Sequence, residues 1–125
     1  MYDEKITEIC KRLFKRKYKG TFSQDTLPVG GKGFYIVNTD THGKDGTHWV
    51  ACVETPDCIH IYDSFARGLS CIMPILEEKL NEKRLILHEK LNHPTQWGSS
   101  KLCGQNCIAF LCVADELGVD EAMKI

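Results

Sequence analysis

No run of apolar residues in this chain approaches the roughly 18 that a bilayer-crossing helix needs, so no membrane span is expected. The opening stretch, MYDEKITEIC, is polar and lacks the apolar segment of a secretory signal, which argues against export. Internal repeats, low-complexity tracts and composition shifts are also missing, so one domain over residues 1–125 is expected. There is almost no net charge. A formal balance of −1 gives no whole-chain field of the kind a nucleic-acid protein carries. With 42% apolar and 26% charged residues the composition is globular, which sets aside disordered, collagen-like and fibrous classes.

Cysteine is plentiful instead. Seven is many for 125 residues, and the number is odd, whereas a secreted disulfide framework calls for an even count and a signal peptide. The expectation is an intracellular protein of a reducing compartment, with most cysteines acting as small buried hydrophobes and at least one thiol free for chemistry. The charge, though balanced, is uneven: Lys11, Arg12, Lys15, Arg16, Lys17 and Lys19 crowd together near the amino terminus. Two readings stand for them, a solvated helix face and a contact for a polyanion.

Ile6, Ile9, Cys10, Leu13 and Phe14 recur at helical spacing, which predicts an amphipathic helix from residue 3 to about residue 17. Gly20 should end it, and the glycine-rich stretch to Gly33 reads as loop or a short helical turn. Phe34–Asn38, His48–Val53 and Cys58–Asp63 are rich in β-branched and aromatic residues and read as strands, with Leu85–His88 a fourth. Residues 71–83 suit a helix with Pro74 in its first turn. Residues 103 to about 117 suit another, apolar almost all round and therefore buried, with Gly118 as its stop.

The chemistry gathers around the third and fourth of these elements and the last helix. If ETPD is a four-residue connection, Val53 faces Cys58, and counting back in antiparallel register sets His48 directly opposite Asp63. A carboxylate there would fix the imidazole tautomer, free the other nitrogen as a base and stabilise the imidazolium. The alternative is a surface ion pair in a hairpin. Cys103 opens a helix, where free N–H groups and the macrodipole stabilise a thiolate, and Gly104 beside it leaves the backbone uncrowded. Gln96 sits in a loop able to bring its amide beside the Cys103 N–H, which would make a pair of oxyanion donors. Nucleophile, base, orienting acid and oxyanion donors are the parts a thiol protease needs.

The stretches IVNTDTHGKDGTHWVA, YDSFARG and QWGSSKLCGQNC together resemble the adenovirus-type proteases (adenains) and, more distantly, the SUMO/ubiquitin-like-specific proteases. The resemblance covers roughly residues 34–117. It implies His48 as base with Trp49 as its stacking neighbour, Asp63 as orienting acid, Gln96 as oxyanion donor and Cys103 as nucleophile. It further implies an α+β, papain-like fold in permuted order, with a small, mainly antiparallel sheet packed on the buried helix that bears the nucleophile. A cysteine endopeptidase cleaving next to small residues, Gly above all, is expected. A viral maturation protease processing structural precursors comes first, with a ubiquitin-like-protein deconjugase as the alternative and a catalytically silent binding module as the third reading. No cofactor is required on this reading, although the resemblance brings in an activator peptide or DNA. A monomer is expected, in host cytoplasm or nucleus or packaged in a virion. The chain departs from the pattern at Asp63, where an adenain usually carries Glu, and at Ala66, which interrupts the usual Ser/Pro-Phe-Gly. It also ends soon after the nucleophile's helix.

Other cysteines and histidines take plainer readings. Cys107, one turn on from Cys103, lacks the helix-start advantage. Cys10, Cys52, Cys58 and Cys112 fall in apolar segments and read as core. A zinc site from Cys103, Cys107 and a histidine has no second ligand pair to support it, and no metal is expected. His60 reads as strand interior; His42, His88 and His93 read as structural or surface residues. Trp97 is either a loop anchor or a wall of the substrate cleft.

Overall fold

A computed structural model describes residues 3–40, 48–91 and 102–124. The first helix, α1 (Asp3–Phe14), buries Ile6, Cys10 and Phe14 along one stripe and starts with two acidic residues that suit its N-terminal dipole. It tightens into a 3-10 turn (Lys15–Lys17) before a strand, β1 (Tyr18–Ser23), where the sequence had predicted loop. Gly20 marks the irregularity: its φ of 145° is open to glycine, and the register of β1 slips between Tyr18 and Gly20. All six clustered cations are exposed; Arg12 pairs with Glu8, and Lys17 reaches across to Asp115.

Three further strands follow, β2 (Gly33–Asn38), β3 (Trp49–Glu54) and β4 (Cys58–Tyr62), within a residue or so of their expected limits. Helices α2 (Leu69–Ile72) and α3 (Pro74–Lys83) lead into β5 (Ile86–Lys90), with Pro74 in the first turn of α3, where its missing N–H costs nothing. The last helices are α4 (Cys103–Leu117) and α5 (Val119–Lys124). Gly118, with φ 93°, ends α4 as expected, but the chain then turns into a further short helix that the sequence reading did not contain. Among the described residues no helix is long and apolar enough to cross a membrane.

The fold is α+β, built on one five-stranded sheet ordered β1-β2-β3-β4-β5. It is mixed rather than mainly antiparallel: β2-β3 and β3-β4 run antiparallel, while both outer pairs, β1-β2 and β4-β5, run parallel. The helices α2 and α3 form the crossover that parallel β4 and β5 require. The sheet is also covered on both faces. Phe34, Ile36, Trp49, Ala51, Val53 and Tyr62 pack with α1, α4 and α5, while Tyr35, Val37, Val50, Cys52, Ile59 and Ile61 pack with α2 and α3. Central β3 is consequently buried at every position. Each buried Leu, Ile or Val contributes about 1.5–3 kcal/mol through removal from water, and this double-sided core fixes where the ends of β3 and β4 lie.

Candidate active site

His48 directly precedes β3 and Asp63 directly follows β4, so the antiparallel hairpin brings both to the same end of the sheet. The register differs from the expected one. Val53 pairs with His60 rather than Cys58, because Thr55 N–H donates to the Cys58 carbonyl and closes a connection of only Pro56 and Asp57. Continued, that register sets Asp63 across from Val50 and Phe65 across from His48. His48 and Asp63 are therefore diagonal neighbours rather than directly opposed. The shift is by two residues, and side chains alternate with period two, so both still leave the same face.

The pair is closely bonded and buried. His48 Nε2 lies 2.5 Å from Asp63 Oδ1, with His48 7% and Asp63 3% exposed. A carboxylate only accepts, so Nε2 carries the proton and Nδ1 is left for the Cys103 thiol. The His48 carbonyl accepts from the Thr39 N–H at 3.0 Å, one rung beyond the β2-β3 ladder. Phe65 meets the imidazole with ring centroids 5.2 Å apart, and the Arg67 guanidinium lies 4.7 Å from the centre of the Phe65 ring. The Asp63 carboxylate receives three further bonds: from Phe65 N–H (3.2 Å), Arg67 N–H (3.1 Å) and Arg67 Nε–H (3.0 Å). The turn that delivers them places Ala66 at φ 57°, the left-handed region where a Cβ is strained. Ala66→Gly is expected to stabilise the chain by about 0.5–1 kcal/mol, the relief of strain exceeding the added freedom of the unfolded chain. Urea unfolding of the two proteins side by side measures it.

Cys103 is the first residue of α4, and its N-cap residue, Leu102, offers no side-chain cap among the described residues. Its thiol bonds to the His48 side chain and accepts from the backbone N–H groups of Trp49 and Gly104. Burial alone would raise its pKa, but these partners outweigh burial and bring it below the ordinary thiol value. His48 shows the reciprocal balance: burial pulls it down, while Asp63 and Cys103 lift it above the ordinary imidazole value. Asp63, which burial would raise, is drawn down to about 2 by His48 and Arg67. The other cysteines with a shift go up: burial pushes Cys10 to about 12, and raises Cys52, Cys107 and Cys112 as well. Cys107 is fully enclosed, so the helix face it shares with Cys103 is core.

His48, Asp63, Cys103 and Gly104 are thus brought together, and Trp49 contributes its backbone to the sulfur while its side chain belongs to the core beneath α4. Gln96 and Trp97 lie outside the described residues, as do His42 and His93. Arg67 and Phe65 are the contributors that the sequence reading left out. Their signal was proximity, four and two residues after the acid respectively, within the YDSFARG stretch that carries the resemblance. An apolar pocket bounded by Tyr62, Asn106, Phe110, Val113 and Ala122 lies farther along α4 and includes none of the three bonded residues. Compared with known proteins, the chain matches no family model and no curated sequence.

Proposed function

We propose that this chain is a cysteine peptidase, with Cys103 as nucleophile, His48 as base and Asp63 as the group that orients the base. The observation that carries the proposal is the buried line Asp63–His48–Cys103 at the start of α4, where the Cys103 thiol alone among the shifted cysteines is drawn toward ionisation. In the reaction the Cys103 sulfur attacks the peptide carbonyl and forms a tetrahedral oxyanion. The Cys103 backbone N–H and, by the resemblance, Gln96 donate to that oxygen. The His48 imidazolium gives its proton to the departing amine, leaving a thioester on Cys103. His48, neutral again, takes a proton from water as it attacks the thioester, and the acid product leaves.

The papain-like, permuted arrangement belongs to the same proposal, with base and acid on the sheet and nucleophile opening a helix. So does the substrate: a protein chain with small residues, especially Gly, beside the scissile bond, and a viral structural precursor as first choice. One feature favours the second reading, a deconjugase of ubiquitin-like proteins, namely the aspartate at position 63. Cleavage of a purified ubiquitin-like conjugate against cleavage of a viral precursor separates the two.

Iodoacetamide labelling as a function of pH, with the modified residue located by mass spectrometry, tests the reading in wild type and His48→Ala. Cys103 is expected to label with a midpoint below the ordinary thiol value of about 8.5, and roughly tenfold more slowly at neutral pH once His48 is gone. Exposed Cys71 serves as the internal reference. Labelling of Cys103 no faster than Cys71, and unchanged by His48→Ala, would favour a silent binding module instead.

A further inference from the structure

Cys58, His60 and His88 gather on a different part of the sheet. Cys58 and His60 are two apart on β4, so their side chains leave the same face. β5 lies parallel alongside, and its register pairs His88 with His60. The ligand-capable atoms of the three all fall within 4.8 Å of one another. Cys58 Sγ is 3.7 Å from His60 Nε2, and the two imidazoles meet edge to face with centroids 4.9 Å apart. His60 is 3% exposed, yet its Nδ1 has no hydrogen-bond partner among the described residues.

We infer that Cys58, His60 and His88 form a binding site for a borderline-soft divalent cation, zinc first among them. A thiolate with two imidazoles is a donor set that zinc accepts, whereas magnesium and calcium want oxygen. The spacing fits as well. Bonds of about 2.3 Å to sulfur and about 2.0–2.1 Å to nitrogen, at a tetrahedral angle, put the two donors roughly 3.6 Å apart. The observed 3.7 Å already matches. His88 is the exposed member and half-buried Cys58 the next, so the ion has a path from solvent, and small rotations of the exposed ring close the remaining distance. Nε2 is the His60 nitrogen that faces Cys58 and is therefore the one placed to ligate. The α5 helix packs against β4, and Asp120 in its first turn adds negative charge that bears on His60. Three protein ligands leave the fourth tetrahedral position to water. Binding displaces the Cys58 thiol proton to solvent, so affinity falls with falling pH. Bound metal would clamp edge strand β5 onto β4, the strand whose end carries Asp63.

Cobalt(II) titration of the metal-free, full-length Cys103→Ala chain tests this, because that background removes any signal from the thiol beside His48. A thiolate-to-cobalt absorption band saturating at one ion per chain is expected, displaced by zinc. It should be lost in Cys58→Ala/Cys103→Ala and require roughly tenfold or more higher cobalt in His88→Ala/Cys103→Ala. Neither Cys58 nor His88 is fully buried, so both variants should fold, which far-ultraviolet circular dichroism checks. Absence of the band, or its persistence without Cys58, overturns the site.

Discussion

Cys103→Ala is expected to abolish peptide-bond cleavage, lowering kcat/KM by about 10^4-fold or more, in a chain that still folds. The size of the loss follows from the proposed mechanism. Without the sulfur no thioester forms, and the base and oxyanion donors are left with only a water to direct. Stability should fall by no more than about 1 kcal/mol, because Cys103 lies at the margin of the core, 8% exposed, with polar partners around its sulfur. His48 then loses one of the two partners that lift its pKa, so its titration, followed by proton NMR, should move down. Cys107→Ala supplies the control. That thiol is fully enclosed and pushed well above its ordinary value, so its removal should cost about 1–2 kcal/mol of stability and leave cleavage intact. Activity that survives Cys103→Ala and disappears with Cys107→Ala would reverse the assignment of the nucleophile.

How far the site was legible depends on which interactions are local. The start of α4 at Cys103 and its end before Gly118 follow from apolar patterning and a glycine stop, and both stand. The meeting of His48 with Asp63 also stands, although the observed register differs from the expected one by two residues. It survived because parity, not exact register, decides which face a strand residue takes. The tight Pro56-Asp57 turn was hidden by Thr55, which looks like loop in sequence but closes the ladder through its N–H and the Cys58 carbonyl. By contrast, β1 was illegible. Tyr18-Lys19-Gly20-Thr21-Phe22-Ser23 has a glycine where a strand should be regular, and only pairing with β2 makes it one. The parallel sense of the outer pairs is a long-range property that no local pattern encodes. The same gap concealed the second cluster: Cys58 and His60 are close in sequence, but His88 joins them only through the parallel pairing of β5 with β4.

Asp63 offers the second large effect, and it separates two roles that one residue combines. Asp63→Asn keeps the shape of the side chain but replaces one carboxylate oxygen with an N–H donor. The amide has only one oxygen to share among His48 Nε2, Phe65 N–H and the two donors of Arg67, so some of them go unpaired. If its nitrogen turns toward His48, the imidazole is held in the wrong tautomer, with Nδ1 protonated against the thiol. Cleavage should fall about a thousandfold, mostly in kcat, and the neutral-pH labelling of Cys103 should slow in parallel. Asp63→Ala goes further, because it strips the buried imidazole and the Phe65 N–H of their acceptor while half-exposed Arg67 turns to solvent, and should cost about 2–3 kcal/mol of stability. The pH dependence of folding carries the same signature with a definite sign. Burial would raise the Asp63 pKa, but its donors depress it from 3.8 to about 2, so the folded chain binds the carboxylate proton less readily than the unfolded one. The resulting stabilisation, about 2 kcal/mol, is complete above pH of about 4 and is lost as pH falls toward about 2. Urea unfolding of wild type between neutral pH and pH of about 2 should show that loss, over and above the slope of Asp63→Asn across the same range. Equal slopes would mean that the carboxylate is not held ionised by His48 and Arg67, and the base would then have lost the partner that sets its tautomer.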